Sequence, residues 1–386
     1  MHKDFKLKVF PSCTPVTFVF LILVGVLASF LAACTSATPL PADPTETATR
    51  SVPPTGTMTA TPAATLTPTP RTPPVLPGPY QSNNLTPFGS PHTYLQNTCQ
   101  YLQDKWSSAN SAPGTVVMAI MFHSITGGAV TSSDQMSEYS FRLLMNALHD
   151  GGFQAITTTQ LDGFMETNAK IPERSVLLVV DDRKTIQYYD TWFREYWEKW
   201  NWPVVNAWIS TDLSSADLWQ QQVDMENEGR VDHQAHGFQH FAIGPDSSDD
   251  YILQELQKPI QAFQKYFHKN PIAYIWPGGR ITPHAVGMAR DLGYRLGFTD
   301  NPRGPVMFNW VPLSDSLDPQ RPSWDAEGPA NDPLLVLPRF WDTDAIIHIN
   351  DVIQVGQEAA AYAGQNKTTE LEYYDIVCAA QYGPIP

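Results

Sequence analysis

From Gly114 onward, short apolar runs alternate with longer segments in which apolar residues recur every three or four positions. The runs Val116–Phe122 and 175–180 contain almost no polar residue, which is typical of parallel strands that are covered on both faces. Between these runs, Ser137 can cap a helix that stops at Gly151. The pattern therefore predicts alternating strands and helices over most of the chain.

The same reasoning predicts further elements along the chain. The predicted strands are 154–157, 204–209, 272–276, 295–298 and 334–340. The predicted helices are 93–106, 161–164, 188–200, 217–226, 251–267, 283–292 and 344–355. About seven β-then-α units with parallel crossovers predict an α/β barrel or a closely related open sheet. In such barrels the chemistry collects on the loops that leave the carboxyl ends of the strands.

The N-terminal part of the chain has a different composition. A basic start precedes an apolar run over 16–33, which indicates an export signal or a membrane anchor. The run ends in Leu-Ala-Ala-Cys at Cys34, which resembles a bacterial lipoprotein signal whose cleavage leaves this cysteine lipidated; an uncleaved anchor helix is the alternative. Threonine and proline dominate 35–80, so we predict a disordered, extended stalk over 34–91. Both interpretations place the rest of the chain outside the cytoplasm, held at a membrane.

These boundaries divide the chain into five predicted regions. They are a signal peptide (1–33), the stalk (34–91), an N-terminal helix (92–113), a catalytic domain (114–355) and a C-terminal tail (356–386). Of the four cysteines, Cys99 and Cys378 remain after the signal and the lipidated residue are assigned. Two remaining thiols outside the cytoplasm usually pair, so we predict a disulfide that ties the N-terminal helix to the tail. Two unrelated buried thiols are the alternative.

The charge balance limits the class of partner. The chain has 39 acidic and 24 basic side chains, which gives a net charge of −15. An excess of this sign argues against a nucleic-acid partner, because the phosphate backbone attracts basic surfaces.

Two polar clusters follow predicted strands. Asp181 and Asp182 end the apolar run 175–180, and because neighbouring strand residues point to opposite faces, we expect them to have different tasks; a helix N-cap is the alternative. His236 and His240 are four residues apart, so on a helical turn both rings can direct a nitrogen at one ion. One aspartate would complete a set of two histidines and one carboxylate, which leaves positions open for water and substrate.

Several segments of the chain resemble motifs of the polysaccharide deacetylases, which are also called the NodB-homology group or carbohydrate esterase family 4. These segments follow one another in the family's order. Residues 117–123 look like the family's opening strand, which ends in Tyr-His in many members. Residues 175–182 resemble its Thr-Phe-Asp-Asp-Gly strand, and 236–240 match its His-(Ser/Thr)-x-x-His motif. Residues 273–279 and 293–299 resemble later strands of the family, and residues 337–340 resemble a closing motif. The resemblance spans about residues 115–345 and implies a distorted (β/α) barrel of about seven parallel strands.

The resemblance also implies an activity and roles for residues. Asp181 would be the general base, and a divalent ion, usually zinc in this family, would be held by Asp182, His236 and His240. The implied reaction removes an N-acetyl group from an amino-sugar polysaccharide: the base takes a proton from water, and an acid protonates the leaving amine. We favour His123 as the acid, because members with the Tyr-His opening strand are rearranged to use this histidine. The alternative acid is His348, which lies in a predicted helix.

Three positions depart from the family's pattern. Arg183 stands where the family has glycine, and Gly237 replaces the usual serine or threonine. Ile275 occupies the position where many members carry an arginine that orients the base, a charge that Arg339 could supply from a neighbouring strand. Two other functions therefore stay open: a non-catalytic carbohydrate-binding or structural lipoprotein, and an esterase that removes O-acetyl groups from polysaccharide.

Overall fold

The computed structural model of the protein describes residues 71–386. The predicted signal peptide, Cys34 and most of the predicted stalk lie outside the described residues. Within 71–386, no helix is both long enough and apolar enough to cross a membrane.

The strands form one large sheet and two small ones within this part of the chain. They are β1 (Gly89–His92), β2 (Val116–Phe122), β3 (Ser124–Thr126), β4 (Gln135–Ser137), β5 (Gln154–Ala155), β6 (Arg174–Asp181), β7 (Val204–Trp208), β8 (Val231–Ala235), β9 (Ala273–Ile275), β10 (Leu296–Phe298), β11 (Val311–Ser314) and β12 (Phe340–Trp341). The large sheet is parallel, in the order β10-β9-β8-β7-β6-β2-β12, with β5 added beside β6. Leu337, just before β12, pairs with Phe298 of β10 and so joins the two ends of the sheet. The predicted distorted (β/α) barrel of seven parallel strands is confirmed.

The described residues contain ten α-helices, and most of them connect strands of the large sheet. They are α1 (Thr98–Trp106), α2 (Glu138–Asp150), α3 (Thr158–Thr167), α4 (Ile186–Trp192), α5 (Arg194–Trp200), α6 (Ala216–Asn227), α7 (Asp249–Tyr266), α8 (Pro283–Asp291), α9 (Asp342–Tyr373) and α10 (Ala379–Tyr382). Helix α2 begins as predicted, because the Ser137 side chain accepts a hydrogen bond from the Ser140 amide.

The central strands β2 and β6 separate two apolar layers. Every residue of β2 is buried, and alternate residues belong to different clusters. On β6, Leu177 and Val179 pack in the cluster inside the barrel, whereas Leu178 and Val180 pack against the outer helices. Because side chains alternate along a strand, Asp181 continues the inward-facing series at the carboxyl end of β6.

The amino ends of the strands are closed by elements from both ends of the described chain. Strand β1 pairs antiparallel with β11, and α1 packs near the C-terminus of the chain. The disulfide predicted between Cys99 and Cys378 is present, and it links residues 279 positions apart.

Two predicted boundaries differ from the structure. The predicted stalk extends to residue 91, yet Tyr80 already stacks on Trp310 and its hydroxyl donates a hydrogen bond to Glu358, 2.7 Å away. The catalytic domain was predicted to end at 355, but α9 continues through this point, since the alanines and glutamates that follow favour a helix. The C-terminal region is therefore an extension of the last barrel helix and not a separate tail.

Two predicted elements are also broken in the structure. The aromatic segment 188–200 forms two helices that meet at the buried Phe193. Within the predicted strand 334–340, pairing is limited to Leu337 and Phe340, because Pro333 begins a 3₁₀ turn and Pro338 has no amide to donate.

Candidate active site

The carboxylate of Asp181 lies buried at the carboxyl end of β6. Its Oδ1 accepts a hydrogen bond from Arg339 Nη1 at 2.7 Å, and Arg339 is itself fixed because its Nε donates to the Thr299 carbonyl at 2.8 Å. Burial alone would raise the pKa of Asp181, but the guanidinium and two nearby imidazoles hold it well below its usual range. Asp181 is therefore ionised at neutral pH, as a proton acceptor must be.

The next residue, Asp182, faces the two histidines of the predicted ligand set. His240 Nε2 lies 3.5 Å from Asp182 Oδ1 and 2.9 Å from His236 Nε2. The ligand atoms of these three residues all lie within 4.8 Å of one another. The structure thus brings together the three residues that the sequence assigned to a metal ion.

The hydrogen bonds of His236 fit a metal ligand. Its Nδ1 lies 2.8 Å from the Ile275 carbonyl oxygen, which can only accept, so Nδ1 carries the proton and Nε2 presents a lone pair to His240. Burial lowers the pKa of His236 to about 4, which keeps the ring neutral. Two histidine nitrogens and a carboxylate oxygen are donors that suit zinc, and also cobalt or nickel.

The loop that carries the histidines is not the helical turn that the sequence suggested. His236 follows β8 directly, and both Gly237 (φ 77°) and His240 (φ 66°) have left-handed backbones. The buried carboxylate of Glu255, on α7, accepts hydrogen bonds from the amides of Phe238, Gln239 and His240 at 2.9–3.3 Å. This explains the glycine, because a Cβ at Gly237 would lie 2.5 Å from Glu255 Oε2.

The departure at Arg183 causes no strain in the backbone. The left-handed residue of this turn is Asp182 (φ 70°), a residue type that tolerates this conformation, whereas Arg183 has negative φ. The arginine therefore occupies a position that does not require glycine.

The other departure, at Ile275, is compensated from a distant part of the chain. The guanidinium of Arg339 contacts Asp181, the predicted base, in place of an arginine at this position. Ile275 contributes through its backbone, since its carbonyl orients His236.

His123 lies on the other side of the Asp181 carboxylate. Its Nε2 is 3.7 Å from Asp181 Oδ2, and its ring stacks on Trp341 with 5.4 Å between centroids. His348 has different neighbours: it lies in α9, packs on Phe340 and approaches Asp351 at 3.4 Å. The geometry therefore favours His123 over His348 as the proton donor, because only His123 lies beside the Asp181 carboxylate.

Two residues that support the site have no signal in the sequence motifs. Glu255 is on a helix 15 residues after the histidine that it helps to hold, and Trp341 follows the closing motif. For Glu255, the only available signal is a glutamate on the buried face of a predicted helix.

Comparison with known proteins agrees with this geometry. Residues 168–297 match the family model for polysaccharide deacetylase, a range that includes both aspartates and both histidines of the site but neither His123 nor Arg339. YxkH of Bacillus subtilis, a curated protein named for the polysaccharide deacetylases, is 24% identical over 185 residues. The match covers 47% of this chain and 64% of YxkH, so it spans slightly less than two thirds of that relative.

Solved structures with similarity to the chain include two deacetylases. The deacetylase PplD of Streptococcus pyogenes, in complex with acetate, is 21% identical over 60% of this chain and 93% of its own, with a TM-score of 0.46. The polysaccharide deacetylase BC0361 of Bacillus cereus is 17% identical over 62% of this chain and 69% of its own, with a TM-score of 0.47. The family match therefore falls on the part of the chain that contains both aspartates and both histidines of the site.

Proposed function

We propose that the protein is a metal-dependent hydrolase that removes N-acetyl groups from an amino-sugar polysaccharide. The observation that carries the proposal is the convergence of Asp182, His236 and His240 beside the ion pair of Asp181 with Arg339. A divalent ion at the three ligands, zinc above all, would polarise the acetyl carbonyl and activate water.

The residues around this centre divide the proton transfers between them. Asp181 is ionised and held by Arg339 through one oxygen, so its other oxygen is available to take a proton from the attacking water. His123, across from that oxygen, is in position to give a proton to the leaving amine. Arg339 orients the base and stabilises its negative charge through the hydrogen bond to Asp181 Oδ1.

The proposal includes a place of action outside the cytoplasm, with a lipid on Cys34 holding the protein at the membrane. The disulfide between Cys99 and Cys378 supports an oxidising compartment. Cys34→Ala should abolish incorporation of a labelled lipid in the producing cell, with Cys13→Ala as the matched control. Equal labelling of both variants would contradict the anchor.

The activity is tested by acetate release from purified protein. The substrates are chitin, poly-N-acetylglucosamine, peptidoglycan and acetylxylan fragments, each with zinc and with a chelator. We expect zinc-dependent release from an N-acetylated glycan and none from the Asp181→Asn variant. Release from acetylxylan alone would indicate an O-acetyl esterase, and metal binding without release from any substrate would indicate a non-catalytic protein.

A further inference from the structure

A groove beside the histidine loop has no role in the proton transfers proposed above. Its volume is about 380 Å³, and it lies between the segment after β7 and the helix α7. Phe238, between the two histidines, is one of its lining residues, and the Ser210 amide donates a hydrogen bond to the Gly237 carbonyl at 3.0 Å. The groove therefore shares the histidine loop with the candidate metal centre.

Two lysines on α7 line the groove without an ion-pair partner among residues 71–386. Lys258 and Lys265 are seven positions apart, so they lie on one face of the helix, about 10 Å apart along its axis. The Lys258 ammonium lies 5.7 Å from the ring of Phe238, and that of Lys265 contacts Tyr266. Both side chains are held at aromatic surfaces, with their charge uncompensated.

The groove also contains hydroxyl groups that lack a partner. Ser210 is almost fully buried, and neither its Oγ nor the Oγ of Ser214 forms a hydrogen bond within the described part of the chain. A buried hydroxyl without a partner loses free energy, so such groups point to a ligand that completes their hydrogen bonds. Asp212 is the acidic residue of the lining, and the two lysines leave the groove positive.

The positive charge of these two lysines is informative because the net charge of the whole chain is −15. The general field would repel an anion, so an acidic ligand needs a local site of paired cations and hydroxyl donors. Arg183, directly after Asp182, also has no ion-pair partner in the described residues. It follows β6, whereas the groove lies beside the segments that follow the neighbouring strands β7 and β8.

We propose that this groove binds an acidic substituent, a carboxylate or a phosphate, on the glycan chain next to the acetylated sugar. The substrate of the proposed deacetylase is then an anionic polysaccharide, an inference that rests on the proposed function. The lysines provide the charge, the serine hydroxyls provide directed hydrogen bonds, and the shared loop at Gly237 connects the groove to the reacting centre.

The test compares matched ligands on the zinc-loaded Asp181→Asn protein, which binds without turnover. The ligands are a neutral N-acetylglucosamine tetramer, the same tetramer with one carboxylate, and the same tetramer with one phosphate. The variant pair is Lys258→Gln with Lys265→Gln. The control pair is Lys199→Gln with Lys367→Gln, because these lysines are also exposed, lie over aromatic rings and have no ion pair among the described residues.

We expect the unmodified groove to bind at least one charged tetramer about 10-fold or more tighter than the neutral one at low salt. The groove variant should lose this preference, the control should keep it, and 0.5 M salt should reduce it. Equal affinities for the neutral and both charged tetramers, or the same loss in the control, would overturn the proposal.

The two proposals fail in different ways. A charge preference that depends on the two lysines, without acetate release from any substrate by the wild-type protein, would reject the deacetylase and keep the groove as a binding site. Acetate release with equal affinities for neutral and charged ligands would keep the deacetylase and reject the groove. The carboxylate and phosphate tetramers distinguish the two kinds of acidic group.

Discussion

At the carboxyl ends of the strands, charged side chains are buried beside polar atoms that lack partners, whereas the contact of α1 with α9 near the amino ends is closed by hydrogen bonds. Around the amino ends, Glu370 accepts hydrogen bonds from both Lys105 and Trp106. At the mouth, His123 Nδ1 and one carboxylate oxygen of Asp342 have no hydrogen-bond partner within residues 71–386. The contact of α1 with α9 therefore contributes to stability, and the mouth of the barrel keeps hydrogen-bonding capacity for a ligand.

The largest effects at the mouth of the barrel are expected when the proposed base and a proposed metal ligand are replaced in separate variants. Asp181→Asn should lower turnover roughly 10⁴-fold, because the amide cannot accept the proton, and it should leave the metal bound. His240→Ala should lose metal and activity together. Acetate release and metal content of both purified variants measure this. If both lose metal equally, the two roles are not separate.

The identity of the acid is tested at the same end of the barrel. His123→Ala should lower turnover by roughly 10²–10⁴-fold without loss of metal, because it removes the proton donor that faces Asp181. His348→Ala is the matched control and should change turnover little, since that ring contacts α9 and Phe340. The reverse pattern in kinetics of the two variants would exchange their assignments.

Removal of the disulfide tests the contact of α1 with the C-terminal region, near the amino ends of the strands. Replacing Cys99 and Cys378 together by serine should lower the free energy of unfolding by roughly 2–5 kcal/mol, because the unfolded chain gains freedom over a long loop. Metal content and turnover of the folded protein should not change. Urea unfolding at 25 °C measures the first effect. An unchanged stability, or two free thiols in the unreduced protein, would contradict the prediction.

The smallest expected effect concerns the loop between the two histidines. Glu255→Gln should weaken zinc binding by about 10–100-fold, because an amide accepts the three backbone hydrogen bonds less well than a carboxylate. Asp250→Asn, an exposed position on the same helix, is the control. Competition with a chromogenic chelator measures both affinities. Equal affinities of the two variants would mean that Glu255 does not position the ligands.

The sequence could predict the features that depend on a local pattern, but not those that depend on contacts between distant residues. The apolar strand 175–180 and the adjacent aspartates are local, so their positions and the barrel were predictable. The contact of Glu255 with the histidine loop depends on where α7 packs, and no sequence spacing determines that. The break at Phe193 and the early start of the domain at Tyr80 have the same origin, because tertiary packing overrides the local pattern there.

The segment 337–341 has a consequence for how the protein acquires activity. Leu337 pairs with β10, Arg339 holds Asp181, and Trp341 stacks on His123, so the residues that close the sheet also complete the centre. Arg339 lies 158 residues after Asp181, and contacts of such separation form slowly. We therefore expect a nascent chain that has not reached this segment to lack turnover, and we expect the return of turnover during refolding to report when the two edges of the sheet meet.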